Sequence, residues 1–308
     1  MGYVPPSAPL SIGGVLDDWL RLFRESFSRC WPLTLVAVAA GVLLEYLMTP
    51  SVPPAGTPQL QYYLQMWSAV SAPQGFLAQL LFYLVMGVVY GALLAQQWAM
   101  IRGEAPLSTA NALTLGLNRL PQMILGMILL ALIMSAIVLP AGVIGAIVFG
   151  LYHERAAIGL TPLMVLFAVA VLLGFCAIIY VAARLQLWPA AIFADDCGGA
   201  AALGRSWALV RGHWWRVTLI GFVGGVLMWI LELAVGIVTM LAAGLFSPPL
   251  GDIAGFIHRI RVAAAVAQTA RIVTMPLLTA IWLAIYHDLK LRREGGDLAA
   301  RAEALGTP

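Results

Sequence analysis

Six apolar runs, each long enough to cross about 30 Å of hydrocarbon, constrain this chain more than any other feature of its sequence. Only 10% of the residues are charged and 62% are hydrophobic, so a soluble fold would leave too much apolar surface in water. We therefore predict an all-α integral membrane bundle of six transmembrane helices. The predicted spans are 31–48, 76–100, 122–150, 161–182, 217–246 and 262–286, and Pro140 predicts a kink or a break in the third.

Basic residues are distributed unevenly among the connections between these spans. Most of the 17 Lys and Arg residues lie before the first span, in the second-to-third and fourth-to-fifth connections, or after the last span. The opposite connections hold only Arg155, Arg259 and Arg261, and Arg271 lies inside the sixth span. Because Lys and Arg are enriched in cytoplasmic loops, this bias predicts a multi-pass protein of the bacterial inner membrane with both termini in the cytoplasm.

A repeated pattern precedes each odd-numbered span. Segments 15–28, 108–120 and 200–214 each carry one apolar stripe on a helix too polar to cross the bilayer, which predicts helices lying in the plane of the interface. We predict three parallel helix-hairpin units, 11–100, 105–182 and 198–287, within a single membrane domain over 1–308 that ends in a cytoplasmic tail, 288–308. Parallel units make inverted-repeat transporters a poor model. The stripe residues are Leu16, Leu20, Phe23 and Phe27, then Leu113, Leu117, Leu120 and Ile124, then Leu203, Trp207, Val210 and Trp214.

Three charged residues fall inside the predicted spans at matching depth. Glu45, Glu232 and Arg271 each lie about 21 to 23 Å from the predicted cytoplasmic edge. A lone charge at that depth costs about 2.5 to 3.5 kcal/mol, so we expect the three to meet as an intramembrane polar cluster. Two interpretations stay open: a structural clamp, with Glu45 able to reach the outer surface instead, or the floor of a cavity that binds a headgroup or a proton.

A second set of basic residues is predicted to contact lipid headgroups at the cytoplasmic interface. Beyond it, a short separate helix is expected over about 298–305. The uncharged first outer connection, 49–74, is expected to rest on the opposite leaflet through Leu60, Tyr63, Leu64, Trp67 and Val70. The predicted headgroup-binding residues are Arg205, Arg211, Arg216, Lys290, Arg292 and Arg293.

Recognisable catalytic and metal-binding motifs are missing from the sequence. It contains no nucleophile elbow, no phosphate-binding loop, no H-E-x-x-H and no C-x-x-C. The adjacent Asp195 and Asp196 precede a predicted helix, where acidic residues favour the helix dipole. We therefore expect no catalytic residue, no cofactor and no bound metal.

Three segments carry a resemblance to a known family. They are the opening G-x-L-D-D-x-x-R-L-F-R at 14–24, the stretch 187–221 with its R-S-W-x-L-V-x-G run, and the ending AIYHDLKLRREGGDL at 284–298. Together they resemble a large bacterial family of uncharacterised polytopic proteins named after the membrane domain of some glycerophosphoryl diester phosphodiesterases. The chain has no phosphodiesterase domain, so the resemblance implies a membrane scaffold without an active site.

Three functions are compatible with this sequence. The first is a non-enzymatic membrane protein that interacts with lipids or organises another membrane protein or further copies of itself, with no role for nucleic acid. The second is a permease or lipid translocator that uses the predicted intramembrane cluster. The third is an intramembrane enzyme, which the missing motifs disfavour.

Overall fold

The computed structural model describes residues 3–48, 68, 72–153, 161–244 and 253–306. Every regular element within these residues is helical, which confirms the all-α class, and six helical stretches are long and apolar enough to cross a membrane. The aromatic anchor predicted around Tyr63 and Trp67 lies outside the described residues. The helices are α1 (Ile12–Met48), α2 (Pro73–Ile101), α3 (Thr109–His153), α4 (Thr161–Leu185), α5 (Trp188–Ala194), α6 (Gly199–Val210), α7 (Trp214–Ala242), α8 (Ile253–Ala267) and α9 (Arg271–Gly306).

All three segments predicted to lie in the interface are helical, but only the third is a separate element. α1 and α3 continue from these segments into the following span without interruption, so the predicted separation is wrong for the first two copies. Pro32 and Pro121 lie inside these helices, and each removes only one backbone N–H donor. In the third copy Gly212 adopts a φ of 84°, a left-handed conformation that suits glycine and separates α6 from α7.

Two other predicted boundaries differ from the structure, and of the kink or break predicted at Pro140 the break is excluded. α3 remains helical through Pro140, so no break occurs there, because breaking more backbone hydrogen bonds in an apolar environment is costly. The sixth span was predicted as one run, yet a 3-10 turn at Gln268–Ala270 divides it into α8 and α9. Thr269 donates a hydrogen bond to the Val266 carbonyl at 2.6 Å within this turn. α9 then continues past Gly295 to Gly306, so the short separate tail helix is wrong.

The described chain divides into two compact units. The first comprises residues 1–120 and 220–288, and the second comprises 121–219 and 289–308. In the first unit, α1, α2 and α9 form a buried core. The Trp19 indole Nε1 donates to the Leu277 carbonyl at 2.7 Å, and the Gln97 amide donates to the Pro276 carbonyl at 2.9 Å and to Ser26 Oγ at 3.2 Å. These buried bonds join three helices through polar groups, as is usual where lipid supplies no partner.

The N-terminal segment is attached to this core through two aspartates. The Leu10 backbone N–H donates to Asp288 on α9 at 2.8 Å, and the Tyr3 hydroxyl donates to Asp18 on α1 at 3.1 Å. Burial, followed by the nearby Asp18 charge, raises the pKa of Tyr3, so its phenol stays protonated and able to donate. Residues 3–10 therefore bind both Asp18, in the opening segment that carries the family resemblance, and Asp288, in the ending segment.

In the second unit, close approaches at glycine join α3 to its neighbours. A Cβ at Gly199 would overlap the Gln122 carbonyl and lie 2.8 Å from the Gly126 nitrogen, and a Cβ at Gly126 would lie 2.5 Å from the Trp188 ring. Farther along, α3 and α4 leave much of their surface exposed, including Leu139, Phe149, Leu172 and Phe175. The apolar exposed surface is the part of the unit best suited to contact acyl chains.

The predicted repeats share one type of contact. In each copy, the residue three positions after the first stripe residue is buried. These residues are Trp19, Gly116 and Ser206. The Trp19 indole donates a hydrogen bond to the Leu277 carbonyl, and the Ser206 hydroxyl donates one to the Arg184 carbonyl. Gly116 lies directly against the Val88 carbonyl. Each residue thus contacts the backbone of an even-numbered span. The neighbouring stripe residues Leu20, Leu117 and Trp207 are 45%, 57% and 39% exposed, respectively, as lipid-facing positions would be.

Candidate functional sites in the two units

Arg271, the charged residue predicted in the last span, begins α9 directly after the 3-10 turn. Its guanidinium packs so closely on α1 that a Cβ at Gly41 would lie 2.5 Å from Nη1 and 2.9 Å from the Gln268 side-chain oxygen. The guanidinium also lies 5.2 Å from the centre of the Phe82 ring on α2. Nη1 is buried and has no hydrogen-bond partner among the described residues. Glycine at position 41 therefore makes room for a cation stacked on an aromatic ring.

The structure relates the two predicted glutamates to Arg271 in different ways. The charge of Glu232 on α7 acts electrostatically on Arg271, although no close ion pair joins them in the described part of the chain. Glu45 lies one helical turn beyond Gly41 and lines a separate cavity with His258 and Arg261 of α8. The polar residues of this unit thus include two that the predicted cluster did not contain.

His258 and Arg261 were missed because the sixth span was predicted to start after them. A signal for their placement was present, since His258, Arg261, Val262 and Ala265 follow the i, i+3, i+4, i+7 spacing of one helical face. Extending that periodicity upstream would have added both residues to the span.

The second unit contains a network of charged side chains that includes Lys290 and Glu294 of α9. Asp195 accepts hydrogen bonds from Arg205 Nε at 2.6 Å and from Lys290 Nζ at 2.7 Å. Glu294 accepts one from Arg205 Nη2 at 2.5 Å and lies 3.9 Å from Lys290. Asp196 has a φ of 53°, a conformation that aspartate tolerates, and it turns the chain between α5 and α6. Two of the predicted headgroup ligands, Arg205 and Lys290, therefore form ion pairs within the protein.

The remaining predicted headgroup ligands lie around this network. Arg293 is exposed and donates from Nη2 to the Arg211 carbonyl at 3.0 Å. The Arg211 side chain is exposed, whereas Arg216 and Arg292 are partly buried and interact within the protein. Arg211 and Arg293 are thus the two members of the set with exposed side chains.

A basic residue that the sequence did not single out forms a more distinctive site. Arg184, in the last turn of α4, is only 6% exposed, yet among the described residues no carboxylate pairs with it. Nη1 donates to the Tyr180 hydroxyl at 2.7 Å and Nη2 to the Trp207 carbonyl at 3.1 Å, while Nε is buried without a partner. The guanidinium carbon lies 4.1 Å from the centre of the Trp207 ring and 5.5 Å from that of Tyr180.

Aromatic side chains surround Arg184 and extend to the surface of the unit. Tyr180 makes edge contacts with Trp207 and Trp214, whose ring centres lie 6.0 and 5.8 Å away, and Trp214 in turn contacts Trp215. Tyr180 and Trp207 are each 39% exposed and Trp215 is 65% exposed. The i, i+4 spacing of Tyr180 and Arg184 was a weak signal of this pairing. Cation–π contacts stabilise the charge in place of a carboxylate.

A family comparison covers most, but not all, of the residues described above. The family model described as Domain of unknown function (DUF7847) matches residues 32–289, which is most of the chain. The chain belongs to the DUF7847 family. The part of the chain that matches the family model includes Glu45, Arg184, Glu232 and Arg271. It ends one residue before Lys290. No curated protein and no solved structure matches the chain.

Proposed function

We propose that this DUF7847 protein is a non-enzymatic, lipid-interacting protein of the bacterial inner membrane that binds anionic phospholipid headgroups at Arg184. In this proposal the protein is multi-pass, both termini are cytoplasmic, and Arg184 lies at the level of the cytoplasmic headgroups. The observation that carries the proposal is a buried arginine that has aromatic neighbours and no paired carboxylate among the described residues.

The hydrogen-bonding capacity of Arg184 supports a phosphate as the missing partner. A guanidinium has five N–H donors in a planar fork that matches phosphate geometry. The two bonds to Tyr180 and Trp207 use two of them. A headgroup phosphate at the nearby membrane surface would supply both the negative charge and the acceptors.

The exposed aromatic residues support the same location. Tyr and Trp concentrate where the hydrocarbon meets the headgroups, because one part of each ring system is apolar and the other is polar. Trp207 and Trp215 are exposed on the unit that contains Arg184. Exposed Arg211 would add to the local positive potential, which contributes about 1 kcal/mol per basic residue toward anionic lipid.

The first test measures lipid selectivity after replacement of Arg184. Delipidated protein in detergent is titrated with phosphatidylglycerol or phosphatidylcholine, and bound lipid is counted by native mass spectrometry. Losing the charge-assisted bonds should cost about 1.5 to 3 kcal/mol, so Arg184→Gln is expected to reduce the preference for phosphatidylglycerol about tenfold or more. Arg184→Lys keeps the charge without the planar fork and should retain part of the preference.

The matched control is Arg24→Gln, which removes the same charge from a side chain that is 78% exposed. It should leave the preference unchanged. Folding of each variant is checked by size-exclusion chromatography and thermal unfolding. Equal lipid selectivity in folded Arg184→Gln, Arg184→Lys and wild-type protein would eliminate the proposed site.

Organisation of a membrane partner is a variant of the same proposal. An open apolar groove of about 610 Å³ follows α3 beside Pro140 and is lined by residues such as Met134, Leu139 and Val143. Acyl chains or the helix of a membrane partner, including another copy of this chain, have the chemistry to fill it.

A permease or lipid translocator is the second candidate function, favoured by one observation. The 3-10 turn at Gln268–Ala270 interrupts a membrane span immediately before Arg271, and interrupted spans with polar residues mark the binding sites of many transporters. Thr269→Cys, in a variant lacking the three native cysteines, tests it with a membrane-impermeant thiol reagent. Labelling from both sides would favour alternating access, and labelling from one side would favour static binding.

A further inference from the structure

Two arginines of the second unit bind the backbone at the last turn of α6, and a third belongs to that turn. Arg184 Nη2 donates to the Trp207 carbonyl at 3.1 Å, and Arg293 Nη2 donates to the Arg211 carbonyl at 3.0 Å. Trp207 and Arg211 are four residues apart, so their positions differ by about 6 Å of helix rise. The Arg211 side chain is exposed at the same end of the helix. Three arginines are therefore gathered at the end of one short helix.

The carboxylates of this unit do not neutralise these three arginines. Among the side chains that the structure describes in the unit, seven are basic and three are acidic. Two of the acidic side chains pair with Arg205 and Lys290, and the third also interacts within the protein. None of the described carboxylates pairs with an arginine at the end of α6. The positive charge there is therefore left for a ligand with more than one negative charge.

Capping of α6 explains only part of this arrangement. The Arg211 N–H, which in a continuing helix would bond to the Trp207 carbonyl, bonds to the Ala208 carbonyl, and Arg184 supplies the bond to Trp207 instead. The two caps use one N–H donor from Arg184 and one from Arg293. A guanidinium has five such donors, and Nε of Arg184 is buried without a partner. The caps therefore hold both groups in position and leave further donors for phosphate oxygens.

We propose that the lipid bound at Arg184 carries two phosphates, as lipids of the cardiolipin class do, and that its second phosphate binds Arg211 and Arg293. The inference rests on the function proposed above and names the class of lipid that the site selects. The first phosphate pairs with the buried Arg184 guanidinium, and the second reaches the exposed pair about one helical turn away. Basic pockets on the cytoplasmic side of a membrane protein bind headgroups of this kind.

The spacing of the arginines selects this class over lipids with a single phosphate. Phosphatidylglycerol has one phosphate, so it pairs with Arg184 or with the exposed pair, but not with both. Phosphatidic acid carries about −1.5 to −2 charges at pH 7, yet it holds them on one phosphate. Two separate phosphatidylglycerol molecules would each lose translational freedom on binding. In cardiolipin the second phosphate is already linked to the first, so its binding is intramolecular and correspondingly favoured.

The test titrates delipidated protein in detergent with cardiolipin, phosphatidylglycerol or phosphatidic acid and counts bound lipid by native mass spectrometry. Wild-type protein should bind cardiolipin about tenfold or more tightly than either lipid with one phosphate. The double variant Arg211→Gln/Arg293→Gln should bind cardiolipin no more tightly than phosphatidic acid, while Arg184 still gives it a preference for phosphatidylglycerol over phosphatidylcholine. Phosphatidic acid is the charge-matched lipid, because a general positive potential would favour it as much as cardiolipin. Arg211→Gln alone keeps the Arg293 bond to the backbone and should lower the ratio of cardiolipin to phosphatidic acid about threefold.

Arg102→Gln is the matched control variant, because it removes the same charge from an exposed side chain that already pairs with Glu104. It should leave every lipid ratio unchanged. A wild-type ratio of cardiolipin to phosphatidic acid in the folded double variant would overturn the inference, as would wild-type protein that binds two phosphatidylglycerol molecules as tightly as one cardiolipin. In either case the function proposed above would stand if Arg184→Gln still abolished the preference for phosphatidylglycerol. If Arg184→Gln left that preference intact, both proposals would fail.

Discussion

Replacing Gly116 with alanine provides the most direct test of how the helices pack. Gly116 on α3 lies against the backbone of α2, and a Cβ there would overlap the Val88 carbonyl oxygen and lie 2.9 Å from the Ala92 nitrogen. Both neighbours are main-chain atoms of a regular helix, so neither can move as a flexible side chain would. Relief of the overlap requires α2 and α3 to separate by about 0.5 to 1 Å.

The cost of that separation follows from the lost contacts. A buried side chain of leucine size makes about 40 to 60 atom contacts of about 0.1 to 0.2 kcal/mol each, and a gap of 0.5 to 1 Å removes a quarter to a half of each. Loosening one such side chain, such as Leu93 in the adjoining core, therefore costs between about 1 and 6 kcal/mol, and the roughly 1 to 3 kcal/mol typical of overpacked cores favours a value of about 2 to 3 kcal/mol. The higher helix propensity of alanine offsets about 1 kcal/mol of this loss in folding free energy. We expect Gly116→Ala to destabilise the protein by about 1 to 2 kcal/mol.

Thermal unfolding in detergent, followed by fluorescence-detected size-exclusion chromatography, measures the difference. Gly225→Ala is the control, because a Cβ at that helical glycine meets no heavy atom within 4 Å. It should be neutral or stabilising, while Gly116→Ala lowers the midpoint by several degrees. If Gly116→Ala unfolded at or above the midpoint of Gly225→Ala, the close approach of α2 and α3 would be refuted.

Four further outcomes are expected. Asp195→Asn should destabilise the protein by about 1 to 2 kcal/mol at low salt, and a titration with NaCl should reduce the difference because salt screens the partly exposed ion pairs. Trp19→Phe should cost about 2 kcal/mol in thermal unfolding, since it removes a buried donor and some volume. Ser28→Cys should resist an impermeant thiol reagent applied from the periplasm, and efficient labelling would contradict cytoplasmic termini. Arg271→Gln alone should lower the folded yield by leaving Glu232 uncompensated, whereas the double replacement with Glu232→Gln should recover it, as chromatography of membrane extracts can show.

The helical class and the number of spans could be predicted from the sequence because both depend on local hydropathy. Helix ends depend on single residues and their contacts, and there the predictions diverged from the structure. Gly212 ends a helix through its own conformation, so the boundary of the third copy was close to its predicted position. Pro140 predicted a kink or a break, and the structure excludes the break because α3 remains helical through it. The turn at Gln268–Ala270 involves a hydrogen bond from Thr269 that no hydropathy profile contains.

Charged residues were harder to interpret, because the sequence gives their depth but not their partners. Depth predicted that Glu45, Glu232 and Arg271 should meet, since few polar groups are available inside a membrane, but it did not predict that His258 and Arg261 would share a cavity with Glu45. Arg205 and Lys290 were predicted to bind lipid headgroups, whereas both form ion pairs with Asp195. Asp195 lies ten residues before Arg205 but far in sequence from Lys290, so the second pairing could not be read from the sequence. Arg184 received no role because it was counted only among the basic residues of the fourth-to-fifth connection. The Arg184 guanidinium is buried against the Trp207 ring, and no carboxylate among the described residues pairs with it. Burying an unpaired cation is costly, and the aromatic ring faces offset part of that cost. A bound phosphate would offset the rest, which is why we assign Arg184 a role in headgroup binding.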